Sequence, residues 1–196
     1  MNPKTKLAVL LIAPLLAVLL APPSHAASAC VTFEPPLLLG TVYGAPVGQV
    51  SGDLAFTSNG VSVYLKNFFL PGGGIAFNRA YIDFAPVAFS PGQSIRTNNI
   101  NLVFDWSAVG FNVTQVKLSY LDLGGAENLA VNGSGVYVGD ITAAPAFLGG
   151  AAITVTQSPV PPPRSGKMGT LTVRGSSLRT LLIGGQELWI DSVCAQ

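Results

Sequence analysis

The chain has 196 residues, 49% hydrophobic and only 10% charged, with ten Lys and Arg against nine Asp and Glu and a single histidine. That near-neutral balance excludes a nucleic-acid binder, which needs a basic stripe to neutralise phosphates, and gives no strong attraction to anionic lipid. With 22 Gly and 15 Pro and frequent Val, Thr and Ser, the composition points to an all-β domain.

The first 29 residues read as an export segment. Lys4 and Lys6 form a basic start, Leu7 to Ala21 is an apolar core interrupted by Pro14, and small residues follow at Ser24-His25-Ala26. We place the signal peptide at residues 1–26 and one domain at residues 30–196. The apolar core, about 15 residues, is shorter than the roughly 20 a membrane helix requires, and Pro22-Pro23 ends it, so no membrane span is expected. A lipoprotein reading, with Cys30 acylated after Ala27-Ser28-Ala29, competes with this, but the apolar core stops well short of Cys30. Losing the segment removes Lys4, Lys6 and the only histidine, His25, leaving eight basic and nine acidic residues. The expected location is secreted or periplasmic, and the remaining length, about 170 residues, suits a single core.

In chain order, the first expected strand is Cys30-Val31-Thr32-Phe33-Glu34. Pro35-Pro36 interrupts it, and an irregular stretch follows through Gly40-Thr41-Val42-Tyr43-Gly44. Residues 52–58 and 61–69 are two extended runs joined by Asn59-Gly60, the strongest short hairpin signal. In the second run Val61, Val63 and Leu65 alternate with Ser62, Tyr64 and Lys66, giving one buried and one wetter face. Residues 75–85 form another run, and residues 86–97 read as a loop with turn signals at Ser90-Pro91-Gly92. Ile100, Leu102, Phe104 and Trp106 then alternate with Asn101, Val103 and Asp105, and residues 111–123 continue in the same style. Shorter runs follow at 128–131, 135–142, 151–157, 169–174 and 178–183, and the chain closes on Glu187-Leu188-Trp189-Ile190-Asp191-Ser192-Val193-Cys194. No segment carries a helical stripe. About ten short strands with frequent turn signals predict an antiparallel β-sandwich of jelly-roll type, whose first and last strands lie side by side.

Two cysteines at opposite ends of an exported domain predict one disulfide, Cys30–Cys194. A free reactive thiol has little support, because no histidine remains to activate it. The same lack of histidine excludes Ser-His-Asp and Cys-His catalysis and ordinary zinc sites. Gly72-Gly73-Gly74 has no following lysine or helix and reads as a turn. A glycan-active enzyme needs only two facing carboxylates, but the acids are scattered singly and spacing nominates no pair. Glu34 and Asp191 are the exception in position: pairing of the end strands brings them together, and two buried like charges repel unless a cation or a proton relieves them. Calcium suits such a site, with Gly40-Thr41 or Asp53 supplying further oxygens. The competing reading has both acids facing solvent or capping the sheet edge.

Phe33-Glu34 followed by Gly40-Thr41, with Leu188-Trp189-Ile190-Asp191-Ser192-Val193 at the far end, resembles the pattern of jelly-roll carbohydrate-binding modules and galactose-binding-like domains. The centre, from Val116 to Gly125 and Asn128 to Gly133, resembles exported bacterial sandwich domains, which implies a fold and no ligand. The first resemblance implies a structural calcium between the end strands, with Glu34, Thr41, Asp53 and Asp191 as its candidate ligands. It also implies binding of polysaccharide or cell-surface glycan through exposed rings. The candidate rings are Tyr43, Tyr64, Phe68, Phe69 and Tyr137, whereas Trp106 and Trp189 alternate in phase with core neighbours. The expectation is thus a non-catalytic carbohydrate-binding-like module; the rivals are a structural or surface-interaction protein without a small ligand and a glycan-active enzyme. The sequence sets no oligomeric state.

Overall fold

The computed structural model describes residues 27–196, so the expected signal peptide lies outside the described residues. The chain begins with β1 (Ala29–Val31), β2 (Val42–Gly44), the 3-10 turn η1 (Ala45–Val47), β3 (Leu54–Ser58) and β4 (Val61–Lys66). There follow β5 (Phe68–Phe69), β6 (Ile75–Ala76), β7 (Arg79–Asp83), β8 (Ser94–Asn98), β9 (Ile100–Asp105) and β10 (Gln115–Asp122). The rest comprises β11 (Glu127–Val131), β12 (Tyr137–Gly139), the 3-10 turn η2 (Ile141–Ala143), β13 (Phe147–Leu148), β14 (Ala151–Pro159), β15 (Lys167–Arg174), β16 (Thr180–Gly185) and β17 (Leu188–Ala195). The described residues form no α-helix, and no helix is long and apolar enough to cross a membrane.

Two antiparallel sheets pack face to face as a sandwich. The larger runs β13-β14-β15-β10-β17-β8-β7-β2, with β1 also on β17; the smaller runs β12-β11-β16-β9-β4-β3. Strict alternation builds the core between them. Val61, Val63 and Leu65 of β4, Leu102 and Phe104 of β9, and Leu181 and Ile183 of β16 face Val116 and Leu118 of β10, Leu171 and Val173 of β15, and Ile190 of β17 in one cluster. Asn59 and Gly60, at φ 49° and 79°, make the left-handed turn that joins β3 to β4 as the sequence predicts. Phe104 is fully buried and stacks on Trp106 at 6.2 Å between ring centroids. Phe104→Ala is therefore expected to lower stability by about 3–5 kcal/mol, read from urea unfolding; a loss under 1 kcal/mol would show that the sheets do not meet there.

The closing strand sits inside the larger sheet. Its end, Val193 to Ala195, pairs with β1 in the register Cys30↔Cys194, and its start, Leu188 to Ile190, pairs with β8 on the same edge. Cys30 and Cys194 are disulfide-bonded across this register with Cα atoms 4.0 Å apart. Between the two pairings β17 gains one residue against β10, and Ser192 takes φ 52°, so a bulge re-aims Asp191. Trp189 is buried, but in a satellite cluster with Leu121 and Val160 on the outer side, roofed by the Arg96 guanidinium 4.4 Å from its ring.

Three expectations are corrected. The first strand ends at Val31, because Phe33 takes φ 57° and leaves Glu34 on an irregular segment. Part of the loop expected over 86–97 is strand β8, whose Ile95 and Thr97 are buried while Ser94, Arg96 and Asn98 make the run read as polar. The stretch around Tyr43 is an edge strand, β2, paired with β7.

Candidate functional site

The outer face of the smaller sheet is set by the residues between the core positions. Register lines up Tyr64, Val103, Leu182 and Ala130 in one row across β4, β9, β16 and β11, with Lys66, Asn101, Gly184 and Asn128 in the next. This face is half apolar, with Tyr64, Val103 and Leu182 partly exposed on it. A groove of about 470 Å³ lies on it, floored by Val103, Ala130 and Leu182, walled by Phe69 and Val136, and rimmed by Ser51, Lys66, Asn67, Ser134 and Thr180.

Two buried asparagines build the groove's wall. The Asn128 side chain accepts from Phe69 N (2.6 Å) and donates to Phe69 O (3.0 Å), imitating a strand partner for that residue's backbone. Asn101 Nδ2 donates to Asn67 O (2.7 Å) and to Asn128 Oδ1 (3.0 Å). Both asparagines are fully enclosed; this arrangement satisfies the Asn128 amide at both ends, and Asn101 through its Nδ2. It pins residues 67–69 on the sheet and sends Phe68 inward and Phe69 outward. Phe69 also lines a second concavity of about 520 Å³ formed with the Pro71-Gly72-Gly73-Gly74 turn and Val138.

The predicted rings separate accordingly. Tyr64 and Phe69 are partly exposed, Phe69 in the groove wall and Tyr64 one strand from Val103. Tyr43 and Phe68 are corrections: Tyr43 is buried with its ring 5.4 Å from Phe56, and Phe68 has no exposed surface, so neither presents a face to a ligand. Tyr137 is half-buried against the core and donates its hydroxyl to Asp140 O (2.8 Å), which ties it to an acidic cluster instead.

Glu34 and Asp191 line one cleft of about 350 Å³ with Thr32, Pro91, Gly92 and Ser192. Asp191 is buried; Ser90 Oγ donates to its Oδ2 and Ser192 N to its Oδ1 (2.6 Å). Burial raises its pKa, the bonds from Ser90 and Ser192 oppose this, and the charge of Glu34 adds to the rise. Glu34 Oε1 accepts from Gln93 N (2.7 Å). The other two candidate calcium ligands are not brought there. Asp53 caps a turn by accepting Val50 N (2.8 Å), and Thr41 O accepts Ile82 N (3.0 Å).

Among the described residues, three acids do converge elsewhere. Asp122 ends β10, Glu127 begins β11 across the Gly124-Gly125 turn, and Asp140 caps η2; one oxygen from each lies within 4.8 Å of the others, a geometry that could hold a metal. Asp122 Oδ1 accepts Gly124 N (2.7 Å), Glu127 Oε2 accepts Ile141 N (3.0 Å), and Asp140 Oδ1 accepts Thr142 N (2.9 Å). Lys167, from the start of β15, pairs with Asp140 and reaches Thr142 Oγ1 (3.0 Å). Burial, then the charge of Asp122, pushes Glu127 up to about 8 against the pull of the Ile141 N–H. Asp122 is also raised, chiefly by burial. For Asp140 burial works upward, but the bonds from Lys167 and Thr142 outweigh it and hold the carboxyl below its usual value. The sequence offered one signal for this cluster, acids on either side of a two-glycine turn; Asp140 and Lys167 arrive only through the tertiary fold.

Comparison of the chain with protein-family models, with curated proteins and with solved structures finds no match in any of the three.

Proposed function

We propose that the protein is a non-catalytic, extracytoplasmic glycan-binding module whose ligand lies in the groove on the outer face of the smaller sheet. The observation that carries this reading is Phe69, a partly exposed ring held by the Asn128 side chain at the boundary of two concavities. A fixed aromatic face over an apolar floor suits the C–H face of a pyranose, and the rim groups Lys66, Ser51, Ser134 and Thr180 suit its hydroxyls. The groove's size falls in the range of small-molecule sites, roughly 300–1,000 Å³.

Among the described residues no Asp or Glu lines the groove, whereas glycoside hydrolysis needs two acids flanking the scissile bond. Glu127, the carboxyl that holds its proton most strongly, has no exposed surface and cannot touch a bound sugar. The disulfide supports an oxidising compartment. The calcium expected at the Glu34–Asp191 cleft forms no part of this proposal, since Ser90, Ser192 and Gln93 already donate to those carboxylates.

The test is a polysaccharide pull-down and glycan array with the purified protein. Binding is expected for the wild type, lost in Phe69→Ala and weakened in Tyr64→Ala, with both variants melting as the wild type does. Absence of binding to every glycan, together with self-association in gel filtration, would replace this reading with the structural, surface-interaction role.

A further inference from the structure

We propose that Asp122, Glu127 and Asp140 form a binding site for a hard divalent cation of calcium's class, set where the β10–β11 turn meets η2. The proposal is independent of the glycan groove.

Mutual oxygen separations of no more than 4.8 Å do not exceed about twice a calcium–oxygen bond of about 2.3–2.6 Å, which puts all three carboxylates within reach of one ion. A second observation singles out this cluster from ordinary surface acids. Glu127 has no exposed surface, and among the described residues its Oε1 has no hydrogen-bond partner, while Oε2 is held by Ile141 N. The Asp122 and Glu127 carboxyl groups nevertheless place oxygens within 4.8 Å of each other. Two carboxylates this close, with no donor among the described residues for the buried Oε1, call for a positive charge between them. Lys167 does not supply it there, because its ammonium is spent on Asp140 and Thr142 Oγ1. It neutralises Asp140, and a divalent cation balances Asp122 and Glu127 once both are deprotonated.

The donor set fixes the class of ion. All candidate atoms are carboxylate oxygens, and both cysteines are locked in the disulfide. Hard cations take such ligands, whereas zinc and copper favour nitrogen and sulfur. Glu127 is anchored by η2 and Asp122 by its own turn, so the ion would fasten the β10–β11 turn, which crosses from the larger sheet to the smaller, to η2. Occupancy is thus expected to stabilise the fold.

The experiment uses the purified protein stripped with EDTA and then titrated with calcium chloride alone, followed by calorimetry and by thermal melting. One ion per chain and a raised Tm are expected, together with tyrosine-sensitised terbium emission that calcium displaces, since the Tyr137 hydroxyl lies 2.8 Å from Asp140 O. Asp122→Asn and Glu127→Gln are expected to lose the calcium response, and Asp191→Asn to keep it. A wild type that shows neither heat nor a Tm shift would overturn the proposal and leave a shared proton as the occupant. A response that survives in Asp122→Asn would overturn it equally. Melting of each variant in EDTA separates lost binding from lost folding, and if Glu127→Gln does not fold, Asp122→Asn and the terbium titration decide.

Discussion

Replacing Cys30 and Cys194 by serine is expected to lower the unfolding free energy by up to roughly 5 kcal/mol, one of the two largest effects predicted for this chain. The bridge closes a loop of 164 positions, and in the chain-entropy model the cost of closing such a loop is what the unfolded chain escapes when the link is cut. The consequence in the folded state is local. Strand β1 has only three residues and, among the described residues, pairs with β17 alone, so its two core residues, Ala29 and Val31, depend on the bridge to stay docked. Urea unfolding with and without reductant reads the loss directly. Identical midpoints would mean that the end strands are held by packing alone.

The second large effect is on pH, and its sign is opposite to that of a salt-bridged acid. Glu127 has its ordinary value of 4.5 in the unfolded chain and about 8 in the folded one. The folded protein therefore binds more protons between these values. Stability is full below the unfolded value, falls as pH rises through the window from 4.5 to about 8, and is lowest above it. Asp122 and Asp191, both raised by burial, act in the same direction, whereas Asp140 acts against them. The expected loss is a few kcal/mol, since each pKa unit is worth about 1.4 kcal/mol and coupling between the acids spreads it. Chemical unfolding in EDTA at pH 5 and pH 9 measures it. Glu127→Gln should flatten the difference, and a wild type more stable at pH 9 than at pH 5 would contradict the burial of Glu127.

Local patterns in the sequence carried the fold where one face is dry and the other wet. Val61, Val63 and Leu65 against Ser62, Tyr64 and Lys66, with Asn59-Gly60 before them, predict strand, face and turn together, and all three are as expected. The pattern failed where tertiary contacts override it. In β17 Leu188, Trp189, Ile190 and Asp191 are all buried, because the outer side of that strand is covered as well, so alternation there identifies a strand but not which side meets the main core. In β8 the polar residues dilute the apolar signal, and the strand exists because β7 and β17 both pair with it.

Site residues were less legible for the same reason. Phe68 and Phe69 are adjacent and chemically identical, and only the grip of Asn101 and Asn128 on residues 67–69 decides which ring faces out. Nothing near Asn101 or Asn128 in the chain announces that role; as outward positions on strands they read as ordinary polar residues. In the acidic triad Asp122 and Glu127 flank one turn but Asp140 joins them only through the fold, and Glu34 meets Asp191 only because the chain ends pair.

The central claim, that the outer face of the smaller sheet is a glycan-binding surface, is tested most directly by a two-dimensional amide NMR titration with a polysaccharide retained in the pull-down. The account predicts shifts concentrated at Lys66, Asn67, Phe69, Val103 and Leu182, with the opposite sheet unchanged. Shifts confined to the larger sheet, or none at saturating ligand, would contradict it.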